Sequence, residues 1–237
     1  MGRKNGPKGM ATRKGVTELL DCVEEIDARH GVFRSTTPPV PKLWVRSAGN
    51  RELVLGGPRI AIVGTRACTD YGRMVAVRWG RELAAKGVTI VSGGAIGIDA
   101  AAHAGSLEYE MRAVCVLACD IHQKGVVNGR LVELIIEQGG CLVSQFEPPR
   151  PAAPAQFLQR NRVIAGLSDA VIVVEGSDQS GTSSTARHAQ QLGVPLLAVP
   201  GPITTRYSWL PNQLIRAGKA VPVTSVLDVL ETVYPKG

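Results

Sequence analysis

From residue 59 onward, short apolar runs rich in Val and Ile alternate with longer segments in which apolar residues recur at helical spacing. A continuous apolar run without polar alternation is typical of a strand that is buried on both faces of a parallel sheet. We therefore predict seven buried strands in this part of the chain. They cover residues 59–63, 88–91, 113–117, 141–143, 170–174, 196–199 and 220–223.

The segments between these strands have the pattern of helices that pack against a sheet. The first places Val75, Trp79 and Leu83 four residues apart on one face, follows Thr69 as a candidate cap and stops at Gly87. Helices are predicted at 71–86, 98–110, 130–138, 157–167, 184–192, 212–217 and 226–233. This alternation predicts an α/β protein with an extended Rossmann-like fold, in which a mostly parallel sheet carries helices on both faces.

The first forty residues differ from the rest and are predicted to precede a single domain at 41–237. Five basic and no acidic residues lie within the first fourteen positions, so most of the net charge of +7 belongs to a Gly-rich tail that we expect to be flexible. Residues 16–30 have the spacing of an amphipathic helix, 35–42 have the composition of a linker, and 43–46 suit an edge strand. Charge alone does not establish binding to nucleic acid, because only +2 remains outside the tail.

Other features of the composition limit the class of protein. No apolar run is long enough to span a bilayer and no signal peptide opens the chain, so we expect no membrane association. Five cysteines without framework spacing are expected to be free thiols in a reducing cytoplasm. Cys115, Cys119 and His122 have only loose metal-like spacing, and no serine has a histidine and an acid in a recognisable context. We therefore predict no metal, no cofactor and no catalytic residue.

Glycines cluster directly after three of the predicted strands. The three clusters are Gly64, Thr65 and Arg66; Ser92, Gly93 and Gly94; and Ser180, Gly181 and Thr182. Ligands of parallel sheets bind beyond the carboxyl ends of the strands, where glycine lets the backbone approach closely and helix N-termini favour phosphate. The clusters therefore predict an anionic ligand with more than one phosphate. A dinucleotide cofactor is excluded because no G-x-G-x-x-G follows the first strand, and a P-loop because the Walker A lysine motif is missing.

Together these motifs resemble the DNA-processing protein A (DprA/Smf) family. The segments that carry the resemblance are PKLWVRSAG, IAIVGTRACTDYG, IVSGGAIGIDAAAHAGSL, FLQRNRVIAGLSDAVIVVEGSDQSGTSSTA and VPLLAVPGP. The resemblance implies a single-stranded-DNA-binding protein without catalysis, which protects incoming strands in recombination or natural transformation and helps to load a RecA-type recombinase. We also expect a homodimer.

The resemblance also implies a set of strand-binding residues. Carried over position by position, they are Gly64, Arg66, Ser92, Gly93, Gly94, Phe157, Arg160, Asn161 and Arg162, with Ser180, Gly181 and Thr182 as a second glycine loop. On the predicted helix we expect Phe157 to stack a base, and Arg160 or Arg162 to hold phosphates together with Arg66. Asn161 would tie the helix to a neighbouring loop. One of the two helix arginines could instead form a structural ion pair.

The sequence departs from the family pattern at several positions. Pro154 stands about where a basic residue is expected, and Gln145 follows Ser144 where Glu is usual. The glycine-rich turn after the third strand is reduced to ACDIHQKGVVNGRL. We expect the chain to lack the family's C-terminal winged-helix domain and to keep about one helix of its N-terminal helical domain.

Two other functions are compatible with the same sheet and loops. A phosphoribohydrolase-like enzyme would place Glu a few residues after its Gly-Thr pair, whereas Gly181 and Thr182 lead into Ser183, Ser184 and Thr185. A nucleotide sensor is the other alternative, because phosphate-binding loops do not distinguish a nucleotide from a polynucleotide.

Overall fold

The computed structural model describes residues 22–27, 40, 42–48, 50–109, 112–122, 128–178 and 180–235. The predicted basic tail lies outside the described residues. So do most of the predicted linker and the two ends of the helix predicted at 16–30.

Nine strands and eight α-helices alternate along the described residues. The strands are β1 Cys22–Asp27, β2 Lys42–Ser47, β3 Arg59–Val63, β4 Thr89–Ser92, β5 Ala113–Val116, β6 Cys141–Ser144, β7 Ala170–Val173, β8 Leu196–Ala198 and β9 Val221–Pro222. The helices are α1 Glu52–Leu55, α2 Asp70–Ala84, α3 Ile98–Ser106, α4 Gly129–Glu137, α5 Pro154–Gly166, α6 Gly181–Gln191, α7 Trp209–Arg216 and α8 Val226–Val233. A 3-10 turn at Arg206–Ser208 leads into α7.

All nine strands belong to one sheet, in the order β1-β2-β6-β5-β4-β3-β7-β8-β9. The seven strands from β3 onward are parallel, whereas β1 and β2 add an antiparallel pair at one edge. The carboxyl ends of the parallel strands therefore share one edge of the sheet. This is the mostly parallel, Rossmann-like sheet that the alternating pattern predicts.

Helices cover both faces of the sheet, as predicted. Successive residues of each strand point to opposite faces, so Ala61 and Val63 of β3 pack with α5, α6 and α7, while Ile60 and Ile62 pack with α2, α3 and α8. Helix α4 covers β5 and β6 on the same side as α3. Among the described residues, no helix is both long and apolar enough to cross a membrane.

The largest difference from the sequence-based expectation is at the N-terminal side. The helix predicted at 16–30 is wrong for Cys22–Asp27, which form β1 and pair antiparallel with β2. An isolated helix of this length is only marginally stable, whereas pairing with the edge of an existing sheet adds a strand to a packed structure and overrides the helical spacing. The strand predicted at 43–46 is confirmed as β2, but β1 takes the edge position. The sheet thus extends to the N-terminal side of the predicted boundary at residue 41.

Candidate nucleic-acid interface

The first and third glycine clusters meet in a cleft of about 390 Å³ at the carboxyl edge of the sheet. Its walls are formed by the turn after β3, the start of α5, and the loop between β7 and α6. The predicted residues in its lining are Gly64, Thr65, Arg66, Phe157, Arg160, Asn161, Ser180, Gly181 and Thr182. Threonine and serine side chains and backbone groups line it alongside Phe157, so the cleft offers both an aromatic surface and polar donors.

Arg66 and Phe157 form the exposed wall of this cleft. The guanidinium carbon of Arg66 lies 5.5 Å from the centroid of the Phe157 ring, within cation–π distance. The same two side chains also line a smaller cleft of about 160 Å³, together with Gly93 and Asn128. Arg66 is exposed and Phe157 is partly exposed. An exposed cation beside an aromatic ring, between two clefts, is suited to a ligand that carries both phosphates and bases.

Arg160 has a different role, because its side chain is buried. Its Nη1 donates to the carbonyl oxygens of Gly93 and Val116, each at 2.7 Å, and its Nε donates to Oδ1 of Asn161 at 3.2 Å. These carbonyls lie at the carboxyl ends of β4 and β5. Burial lowers the pKa of Arg160, and the nearby Asp99 carboxylate opposes that shift. Arg160 therefore joins α5 to two strand ends and forms the floor of both clefts.

The second glycine cluster is mainly structural. Asp99 accepts the N–H of Gly93 at 3.1 Å, and Arg160 binds the Gly93 carbonyl, so both polar groups of this glycine are used. A Cβ at Gly93 would collide with the guanidinium of Arg160, which explains the glycine. Ser92 is buried and donates to the carbonyl of Ile62 at 2.7 Å. Burial raises the pKa of Asp99, while the charge of Arg160 lowers it.

Two further buried groups lie near this floor. Burial lowers the pKa of His103 to about 4, so the imidazole is neutral near pH 7. Burial likewise raises the pKa of the Cys115 thiol to about 12, so this thiol is not a nucleophile. Neither group reaches the lining of the two clefts. The described residues contain no group of three or more His, Cys, Asp or Glu side chains that could hold a metal ion.

The third glycine cluster presents the N-terminus of α6 to the larger cleft. Ser180 is at the N-cap position but makes no side-chain capping bond, and Gly181 and Thr182 form the first turn. Asn161 donates from Nδ2 to the Gly181 carbonyl at 3.1 Å, the tie to neighbouring loop backbone that we expected of it. The first N–H groups of a helix and its dipole favour an anion. The third cluster therefore has a better geometry for a phosphate than the second, in which the Gly93 N–H already donates to Asp99.

Arg162 lies outside the lining of both clefts. Its Nε and Nη2 both donate to Oε1 of Gln145, at 3.2 and 2.9 Å. A glutamate in place of Gln145 would pair its charge with this arginine, whereas the amide does not. Pro154 is the first residue of α5, where its fixed φ suits the start of a helix. These two departures from the family pattern thus have local structural roles.

The carboxylate of Glu175 is also committed to structure. It accepts from the backbone N–H and the hydroxyl of Thr69, at 2.9 and 2.5 Å, and so supports the N-terminal cap of α2. Its backbone carbonyl accepts from Thr65 at 2.9 Å. The side chain is buried and absent from the cleft lining. Glu175 therefore fixes the turn that carries Arg66.

The structure thus brings most of the predicted site residues together. Ten of the thirteen line one of the two clefts, and Ser92, Gly94 and Arg162 do not. Sequence reasoning missed Ser177 and Thr185, which flank the third cluster, and Ala95 and Ile96, which follow the second. Their proximity to the glycine motifs was the only signal, because nothing in their residue types distinguishes them.

The fold is that of a Rossmann-like protein, and its two clefts lie at the carboxyl edge of the parallel strands. Residues 31–234 match the model of the family described as DNA recombination-mediator protein A, and the chain belongs to that family.

Its relatives agree with this assignment. The chain is 42% identical to Protein Smf of Escherichia coli over 180 residues, which cover 73% of this chain and 46% of that protein. The solved structure of DNA processing protein A from Helicobacter pylori, described for its single-stranded-DNA binding mode, matches with a TM-score of 0.78 at 29% identity over 89% of this chain and 94% of that one. The Streptococcus pneumoniae DprA structure matches with a TM-score of 0.79 at 28% identity over 91% and 76%. The chain spans about half the length of the first curated relatives.

Proposed function

We propose that this protein binds single-stranded DNA across the two clefts and acts in DNA processing during recombination or transformation. The observation that supports this proposal most directly is the Arg66–Phe157 pair, an exposed guanidinium beside an aromatic ring between the clefts. A base can stack on this pair, and phosphates can lie against Arg66 and the N-terminus of α6. The binding mode described for the Helicobacter pylori relative supports the proposal.

We further propose that the protein is not an enzyme. A hydrolase of this fold needs a carboxylate that reaches the sugar of a bound nucleotide. In the described part of the larger cleft the acidic side chain in the lining is Asp99, which is buried and engaged with Gly93 and Arg160. Glu175 is engaged with Thr69. These commitments argue against the phosphoribohydrolase alternative.

Three further proposals concern the partner, the assembly and the setting of the protein. The family description names recombination mediation, which favours a RecA-type recombinase as partner. The protein would act as a homodimer. Cys68, Cys115, Cys119 and Cys141 are free thiols, which suits a reducing cytoplasm.

The function is tested by salt-titrated binding of a labelled oligothymidylate, with a duplex and nucleoside monophosphates as competitors. We expect tighter binding of the single strand than of the duplex, and an affinity that falls with salt. Phe157→Ala should cost about 1–3 kcal/mol of binding free energy through the lost stacking surface. Arg66→Ala should weaken binding and reduce the salt slope by about 0.7 for one phosphate contact.

The matched control is Arg78→Ala, which removes an exposed arginine of α2 that pairs with Glu82 away from the clefts. It should leave affinity unchanged. Melting temperatures of all variants separate loss of binding from loss of fold. Equal binding of duplex and single strand would contradict the proposal, and release of a free base from a nucleoside monophosphate would support the hydrolase instead. Tight binding of mononucleotides alone would support the nucleotide sensor.

A further inference from the structure

A second arginine–aromatic pair lies on the loop that follows β8. The guanidinium carbon of Arg206 is 4.9 Å from the centroid of the Tyr207 ring, and Nη2 of Arg206 donates to the Tyr207 hydroxyl at 2.9 Å. Arg206 is exposed and Tyr207 is partly exposed. The pair thus has the same chemistry as Arg66 with Phe157, an exposed cation held against an aromatic ring.

This pair lies next to the larger cleft along the carboxyl edge of the sheet. Strand β8 neighbours β7, and the backbone N–H of Gly176, just after β7, donates to the Tyr207 carbonyl at 2.6 Å. Leu210 returns a bond to the Gly176 carbonyl at 2.9 Å. The residue after Gly176 is Ser177, which lines the larger cleft. The Tyr207 loop is therefore fixed directly against the loop that forms one wall of that cleft.

The segment that carries the pair is open and has no acidic residue of its own; the exposed acid of the adjoining loop is Asp178, two residues after Gly176. Ile203 is 93% exposed and Trp209 is 42% exposed. Arg206 is the only charged residue between positions 200 and 210. Exposed aromatic faces with a single cation suit the bases and phosphates of a nucleic-acid strand, because every base has a face that can stack.

We propose that Arg206 and Tyr207, with Trp209 beside them, form a second stacking station for the same strand that occupies the clefts. This inference rests on the proposed function. A strand that leaves the larger cleft past Ser177 meets the Tyr207 loop next, so longer strands gain a second aromatic contact. A strand short enough to fill only the clefts does not reach it.

The test compares two oligothymidylates, of about four and about sixteen nucleotides, the range of site sizes known for single-strand-binding domains. Tyr207→Leu and Arg206→Ala should each weaken binding of the longer strand at least about fivefold, the effect of one stacked base, and leave the shorter strand unaffected. Phe157→Ala should weaken both lengths. Arg216→Ala is the matched control, because this exposed arginine lies in the last turn of α7, and it should change neither.

Trp209 provides a readout independent of affinity. Of the three tryptophans, Trp79 is buried and Trp44 lies on β2 near the opposite edge of the sheet, whereas Trp209 is exposed, two residues after Tyr207. The longer strand should quench tryptophan fluorescence, the shorter one should not, and Trp209→Phe should abolish the change.

The outcomes separate this inference from the proposed function. If the parent binds neither strand, the proposed function is wrong. If Phe157→Ala weakens binding but the Tyr207 and Arg206 variants match the parent at both lengths, the second station is wrong and the cleft remains. If the Tyr207 and Arg206 variants bind DNA like the parent but lose self-association or a protein partner, this surface is instead a protein interface.

Discussion

At the scale of single residues, the arginines at the carboxyl edge divide into two kinds. Arg66 is exposed beside Phe157, whereas Arg160 is buried and satisfied by two strand-end carbonyls. A buried guanidinium needs acceptors for its donors and a compensating charge; here backbone carbonyls supply the acceptors and Asp99 supplies the charge. We therefore propose that Arg66 contacts the ligand, whereas Arg160 chiefly positions the strand ends.

This division predicts that substitutions at the two arginines change the free energy of unfolding by different amounts. Arg160→Met should lower the free energy of unfolding by about 3 kcal/mol, because it leaves the Gly93 and Val116 carbonyls without a donor and Asp99 without its neighbouring cation. Arg66→Ala should change it by less than about 0.5 kcal/mol. Urea unfolding monitored by circular dichroism measures both changes. The dependence of the unfolding free energy on urea concentration should be the same in the variants and the parent. Equal stability of Arg160→Met and the parent would contradict the positioning role.

Sequence reasoning found ten residues that line the two clefts but could not divide their roles. The glycine clusters and the Phe157 segment are local motifs, so their positions at strand ends follow from the alternation of strands and helices. Whether Arg160 or Arg162 faces the ligand depends on how α5 packs, which is a tertiary property. The same limit applies to Gly93, which matches a phosphate-binding loop in sequence although its N–H donates to Asp99.

At the scale of secondary-structure elements, the contact between α2 and α3 depends on glycine. A Cβ at Gly105 of α3 would collide with the Val77 carbonyl of α2, and a Cβ at Gly80 of α2 would collide with the Ala102 carbonyl of α3. Glycine therefore lets the two helix backbones approach each other closely. The contact matters for the site because α3 starts at the second glycine cluster and carries Asp99.

Gly105→Ala should consequently destabilise the protein, although alanine has the higher helix propensity. Its methyl group meets the backbone of another helix, which cannot move aside like a side chain, so we expect a loss of about 1–3 kcal/mol. Gly129→Ala is the control: this glycine begins α4 and has no atom within 4 Å of an added Cβ. It should be neutral or stabilising by up to about 1 kcal/mol. Thermal and urea unfolding of both variants measure the difference, and a neutral Gly105→Ala would refute the close-packing argument.

The elements themselves were predictable to different degrees. The seven parallel strands and seven of the helices were predicted within a few residues, because buried strands and amphipathic helices carry strong periodic signals. The four-residue helix α1 and the strand β1 were not. A single turn is too short for a periodic signal, and β1 exists through pairing with β2, which no local pattern encodes.

At the scale of the whole molecule, one edge of the sheet collects the features that suit DNA. The turn after β3, the start of α5, the start of α6 and the loop after β8 all lie on it, and three of them supply the two arginine–aromatic pairs. A parallel sheet produces this arrangement because every carboxyl strand end faces the same way. The path proposed for the DNA therefore runs past β3, β7 and β8, in their order in the sheet.

The distribution of charge adds a prediction for the chain as a whole. Arg3, Lys4, Lys8, Arg13 and Lys14 supply five positive charges, and the remainder of the chain has a net charge of only +2. If the tail contacts phosphates through all five, its deletion reduces the salt slope by about 3.5, at about 0.7 for each phosphate of a single strand. We expect a smaller reduction and a modest loss of affinity, because five charges along a short segment are not all expected to contact phosphates at the same time. The comparison is a salt titration of the full chain and of a chain lacking residues 1–14. Phe157→Ala should weaken binding by the same factor in both, since stacking in the cleft does not depend on the tail. Complete loss of binding on truncation would make the tail, and not the clefts, the principal DNA site.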